Sequence, residues 1–308
     1  MEETFMLKIK NKPKVAIPII CAILGTLIIC MTIFTFTDLE ISKALFGGWD
    51  NAFGIAGYMI GYTPAILVNV LLLVVLFWYF DKLWLRILLG FLLYGHFFGM
   101  MYLVLEPFDL GTILDMSISG TAGLIFGFLA IFFGRFIPRP VQKKLLYILL
   151  IAWGAAVIGN SLCAIFQFAW GRDRYLTLFD VGAIAALGRQ GIYTPWYLPQ
   201  GPSGHSFWAH SFPSLHVTSC ASALFLVLLA FRFQFKTPIK ILLSGLGISV
   251  VLIVVLSRVI KGDHYMTDVT FALICSTIGA IVSVLVIDPI YTRHYQKKEA
   301  AQNEQPQE

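Results

Sequence analysis

A nucleophile and its orienter are legible in the stretch SRVIKGDHYMTD, residues 257–268. His264 and Asp268 stand four apart, so a helix would put both side chains on one face. A carboxylate bonded to one imidazole nitrogen fixes the tautomer and leaves the other nitrogen free to attack an electrophile. Asp263, beside His264, points about 100° away on a helix and is left out of that pair. Arg258 lies a turn or more upstream. A second stretch, GPSGHSFWAHSFPSLHV at 201–217, carries one tetrad twice, as Pro-Ser-Gly-His at 202–205 and Pro-Ser-Leu-His at 213–216. Pro213 bars helix upstream and an apolar run follows His216, so Ser214 is set to cap a helix whose first amides, at Leu215 and His216, face an anion. His216 there is placed to protonate a leaving oxygen. The earlier tetrad, ending at His205, precedes neither a helix start nor a membrane anchor, so the chemistry is assigned to the later one. A third stretch, QFAWGRDRY at 167–175, supplies Arg172 and Arg174, whose guanidinium forks match phosphate oxygens.

These residues must be positioned by membrane helices. Of 308 residues, 58% are hydrophobic and 13% charged, against about 45–50% and about 25% in soluble domains. Apolar runs long enough to cross a bilayer fall at about 16–36, 58–80, 84–105, 117–134, 146–169, 215–231, 239–258 and 267–288. The first is too long for a signal-peptide core and shows no cleavage site. The expected fold class is therefore all-α, a polytopic transmembrane helix bundle. With the N-terminus inside, the inner segments hold sixteen of the twenty-two Lys and Arg residues, as the positive-inside rule requires. The formal charge of +5 is thus topogenic and points to no nucleic-acid partner. The remaining cations gather in the outer segments 171–214 and 257–268, together with His205, His210, His216 and His264. Two outer segments far apart in sequence that share Arg and His make a site for an anion. The five cysteines lie in apolar runs without metal-ligand spacing and read as packing residues, and no metal site is expected.

Together the three stretches resemble the type 2 phosphatidic acid phosphatase superfamily, the lipid phosphate phosphatases, whose pattern is a Lys followed after six residues by Arg-Pro, then Pro-Ser-Gly-His, then Ser-Arg, five residues, His, three residues, Asp. The third part is matched by Ser257, Arg258, His264 and Asp268, and the second by Pro213, Ser214 and His216, with Leu215 in place of Gly. The first is partial: Arg174 matches, but Gln167 stands at the Lys position and Tyr175 at the Pro position. The resemblance implies that His264 attacks phosphorus, oriented by Asp268, to form a phosphohistidine while His216 protonates the departing oxygen. Arg174, Arg258, Ser214 and the amide of Leu215 would hold the phosphoryl oxygens, and Arg172 would offset the charge missing at Gln167. No cofactor is implied.

The resemblance covers roughly residues 84–288. The expected division is 1–83, a basic segment with two extra spans; 84–290, a six-span catalytic core; and 291–308, a polar cytoplasmic tail, of which 297–308 is expected to lack fixed structure. His96, inside the third span, reads as a packed, hydrogen-bonded residue. The expected activity is hydrolysis of a lipid phosphomonoester or diphosphate at the outer face of a cell membrane, with both termini cytoplasmic. The substrate lipid and the bilayer are the expected partners. The alternatives are a lipid phosphotransferase using the same residues and a non-catalytic lipid-binding or transport relative. Ionisable residues near mid-span, which a transporter favours, are few.

Overall fold

The computed structural model describes residues 13–105, 111–202 and 207–303. The Ser, Gly and His of the earlier tetrad, residues 203–205, lie outside the described residues. The described residues are mainly helical, with ten α-helices among them: α1 Pro13–Leu45, α2 Ala52–Tyr79, α3 Leu83–Leu105, α4 Thr112–Gly134, α5 Arg139–Trp170, α6 Val181–Leu187, α7 Leu215–Cys220, α8 Phe225–Arg232, α9 Thr237–Ile260 and α10 Met266–Asn303. A short 3-10 turn, Ala221–Leu224, joins α7 to α8, so the two act as one interrupted span. Eight stretches are long and apolar enough to cross a membrane, and they coincide with the eight runs read from the sequence.

Apolar side chains facing lipid gain nothing by clustering, so close packing of small residues decides which spans meet. Along α5 and α10 the backbones touch at Gly159 and Gly279; a Cβ on Gly279 would lie 2.5 Å from the Ala155 carbonyl oxygen. Gly154 admits Ser283, whose hydroxyl bonds the Ile151 carbonyl at 2.8 Å. A second glycine stripe runs down α2. Gly54 faces Lys261, Gly57 faces Ser257 and Gly61 faces His216, each too near for a side chain. Helix α2 is thereby pressed against the two outer motif segments.

Six spans surround those segments: α1, α2, α5, α7–α8, α9 and α10. Helices α3 and α4 pair with each other and rest on α2, outside this ring. The packing therefore places α1 and α2 beside the motif residues, where the sequence division at residue 84 sets them apart.

Two boundaries extend beyond the apolar runs. Helix α1 continues to Leu45, because no Gly or Pro stands between the end of the apolar run at residue 36 and Gly47. Helix α10 carries on through Pro289 to Asn303, so the tail expected to lack structure is helical to that point. The helix is already nucleated, and QKKEAAQ consists of good helix formers. His96 bonds the Leu92 carbonyl at 2.8 Å, the local role expected of it.

Candidate active site

Asp268 sits in the first turn of α10, and its Oδ2 reaches back to accept from the Tyr265 amide at 2.8 Å. This caps the helix and places negative charge at its positive end. The helix begins at Met266, so His264 precedes it on the turn that follows α9. The expected face-sharing of His264 and Asp268 within one helix is therefore not what joins them. His264 Nδ1 instead lies 2.5 Å from the Ser211 carbonyl oxygen and 3.8 Å from Asp268 Oδ2. A carbonyl only accepts, so Nδ1 carries the proton and Nε2 keeps its lone pair. The orienter is thus shared: Ser211 fixes the tautomer, while its hydroxyl donates to Asp268 at 2.5 Å. Ser211 lies in the second stretch but outside its Pro-Ser-Leu-His tetrad, and nothing in its type or spacing singles it out.

His264 is 1% exposed. Burial pushes its imidazolium down to about 4, with Asp268 opposing the shift and Arg174 and Arg258 adding to it. The ring is then neutral at physiological pH, as a nucleophile requires. Between about 4 and the ordinary value near 6.5, the unfolded chain carries this proton and the folded chain does not. The melting temperature is accordingly expected to fall as pH is lowered through that window. His264→Gln should remove part of the slope, and a variant with the same slope as the parent would contradict the assignment.

The second motif is stitched to the first. The Ser214 amide donates to the Asp268 carbonyl at 3.3 Å, and the Ser214 hydroxyl accepts from Val217 at the start of α7, the expected cap. Leu215 opens that helix. His216 packs between the rings of Tyr58 and Tyr62, with centroids at 4.8 and 4.3 Å, and presents a buried Nε2 with no hydrogen-bond partner. It lies within electrostatic reach of His264, Arg258, Arg174 and Lys261. Both histidines are therefore at one end of the bundle and under the influence of the same cations. Tyr58 and Tyr62, a turn apart on α2, were invisible as site residues because their spacing is that of any packed helix face.

The cations divide into two sets. Arg174 and Arg258 converge on Asp263: Arg174 Nη1 donates to Oδ1 at 2.8 Å and Arg258 Nη2 pairs with Oδ2. Arg258 is fully buried, and its Nε and Nη1 have no hydrogen-bond partner. Lys261 joins them with its Nζ 3.7 Å from Asp263 Oδ2, over the ring of Trp49 at 4.0 Å. In the sequence Lys261 registers only as one more outer charge.

Arg172 faces elsewhere. Its guanidinium donates to Asp268 at 2.5 Å, Asp38 at 2.9 Å, Thr267 Oγ1 at 2.9 Å and the Thr194 carbonyl at 2.9 Å. Tyr265 covers its face at 4.0 Å. Four of its five N–H donors are spent within the protein and its charge is shared by two buried carboxylates, so the geometry gives it a structural part instead of the expected clamp. Asp38, near the C-terminal end of α1, also accepts from the Thr267 amide at 2.9 Å. A carboxylate at the end of an apolar span was the available signal, but the first run read from the sequence stops at residue 36. Gln167 likewise does not point at an anion: its Nε2 donates to the carbonyls of His210 and Pro213, both at 3.0 Å, and so props the second motif from α5. Of the outer cations, Lys261 and not Arg172 stands beside Arg174 and Arg258 at Asp263. Ser257, the motif serine, spends its hydroxyl on the Val254 carbonyl at 2.8 Å and packs on Gly57.

The site thus holds a neutral imidazole with a fixed tautomer, a second imidazole with an unpartnered nitrogen, and a buried cationic cradle. The family model of the PAP2 superfamily matches residues 186–291, which include His216, Arg258, His264 and Asp268. The match agrees with the resemblance carried by the motifs and supports an enzyme of the phosphatase type acting on phosphate esters. No curated protein and no solved structure matches the chain.

Proposed function

We propose, starting from the PAP2 superfamily match, that this chain is an integral membrane phosphatase that hydrolyses a lipid phosphomonoester or diphosphate through a phosphohistidine. His264 Nε2 attacks phosphorus, forming a P–N bond as the bond to the lipid oxygen breaks. His216 delivers a proton to that oxygen. Water then attacks the phosphohistidine, giving its proton to His216, and inorganic phosphate leaves with both rings restored. Arg174, Arg258 and Lys261 offset the charge spread over the phosphoryl oxygens, where a prearranged positive field acts most strongly in a site closed to water. Ser214 and the amide of Leu215, at the start of α7, are assigned to the same phosphoryl oxygens.

The observation that carries this reading is the bond from His264 Nδ1 to the Ser211 carbonyl, beside a buried Arg258 with unpartnered donors. It supports an attacking nitrogen and an anion in one place. The Lys and Arg distribution supports cytoplasmic termini and an active site on the extracytoplasmic side of a cell membrane. The position of the motif residues at span ends supports a substrate whose apolar tail stays in the bilayer.

The test is phosphate release by the purified chain from a panel of phosphatidic acid, phosphatidylglycerol phosphate and an isoprenoid diphosphate in mixed micelles. At least one lipid is expected to release phosphate in the absence of added metal. Transfer of the phosphoryl group to an added lipid alcohol, with no free phosphate, would favour the transferase alternative. Binding without turnover of any lipid would favour a non-catalytic relative.

A further inference from the structure

Asp263 takes no part in attack, protonation or orientation, yet its carboxylate occupies the most cation-rich point of the site. Arg174 Nη1 donates to Oδ1 at 2.8 Å, Arg258 Nη2 pairs with Oδ2, and Lys261 Nζ stands 3.7 Å away. The side chain is 2% exposed, so these contacts are made out of water. Two of the cations, Arg174 and Arg258, are those the proposed mechanism assigns to phosphate. A carboxylate and a phosphate face a guanidinium fork in the same way, each offering two oxygens at the spacing of two N–H donors. Three cations share this one carboxylate, and Arg258 retains buried donors with no hydrogen-bond partner. The cradle is therefore neutralised only in part and by an anion of the kind it would bind.

The backbone allows an exchange. Asp263 lies on a turn between α9 and α10, not inside a helix, after Gly262 at φ +78°. A Cβ on Gly262 would lie 2.7 Å from the Phe46 ring, so the turn itself is fixed while the Asp263 side chain extends from it. An exchange would turn the Asp263 side chain about its own bonds while the backbone of the turn stays held at Gly262.

We propose that Asp263 is an internal stand-in for the phosphate group. Its carboxylate balances the cradle when the site is empty, the arriving phosphate takes over the donors of Arg174 and Arg258, and the returning carboxylate helps to expel inorganic phosphate. This rests on the phosphatase reading above. It differs from a bracing role, in which Asp263 would aim the arginines and aid phosphate binding.

The two roles predict opposite signs. Asp263→Asn keeps the shape and removes the competing charge. The purified full chain carrying it is expected to bind inorganic phosphate at least about ten-fold more tightly than the parent, within the usual range of coupling between two sites. Binding is read from the phosphate dependence of the melting temperature, and inhibition of lipid turnover by phosphate should tighten in parallel. Asp263→Glu, which keeps the charge, is expected to stay within about three-fold of the parent. If burying three cations without this anion prevents folding, phosphate added during purification is expected to restore the folded Asp263→Asn chain. Weaker or unchanged phosphate binding in Asp263→Asn, equal tightening in Asp263→Glu, or no rescue by phosphate overturns the proposal. Because the readout is phosphate binding, a parent chain that binds phosphate but turns over no lipid would count against the phosphatase reading alone.

Discussion

Replacing His264 with alanine is expected to lower phosphate release by at least about 10⁴-fold, the scale on which loss of a covalent nucleophile is felt. The substitution removes a ring whose bonds are few: Nδ1 to the Ser211 carbonyl, and the longer approach to Asp268. Asp268 keeps Arg172, the Ser211 hydroxyl and the Tyr265 amide, so the loop that carries the site retains its supports. The loss should therefore appear in kcat with the chain still folded. His216→Ala should cost about 10²–10⁴-fold, the range for a general acid, and less for a lipid whose leaving oxygen needs no proton. The measurement is initial-rate phosphate release at saturating lipid, with circular dichroism as the control for folding. Undiminished turnover in His264→Ala would reject the mechanism outright.

Replacing Arg172 with methionine is expected to remove the folded protein rather than weaken phosphate binding. The guanidinium lies between the carboxylates of Asp38 and Asp268, at 2.9 and 2.5 Å, and all three groups are buried. Removing one partner of such an arrangement costs about 3–5 kcal/mol, because the charge left behind is neither solvated nor paired. Here two carboxylates are stranded together. Total stability is only about 5–15 kcal/mol, so the loss takes up much of the margin. Pairing Arg172→Met with Asp38→Asn should recover part of it, since one of the two negative charges is then gone. Thermal unfolding in detergent of the single and double variants reads both effects. A single variant that melts like the parent but needs more lipid for half-maximal turnover would return Arg172 to the cradle.

The helical bundle was legible from composition alone. A bilayer core demands about twenty apolar residues per span and a charge bias between its faces, and neither depends on contacts distant in sequence. His264, Asp268, His216, Arg174 and Arg258 were legible because their types and spacing encode a chemistry. What spacing does not encode is where a donor is spent. Arg172 and Arg174 are the same residue two positions apart; one is consumed by Asp38 and Asp268 and the other reaches Asp263. Gln167 holds the carbonyls of residues 210 and 213. Tyr58 and Tyr62 cover His216 only because three glycines let α2 come close. Each of these facts depends on a partner more than thirty residues away, and a linear reading has no access to it.

The contact between Asp38 and Thr267 has an implication for inheritance. The segment matching the superfamily begins at residue 186, yet the counter-ion that steadies the turn carrying His264 is supplied by the first helix. That segment is not a portable cassette. A lineage that neutralises position 38 leaves Arg172 with Asp268 as its remaining carboxylate and the Thr267 amide without its acceptor, so the earliest span is bound to the last two by mutual dependence rather than by neighbourhood.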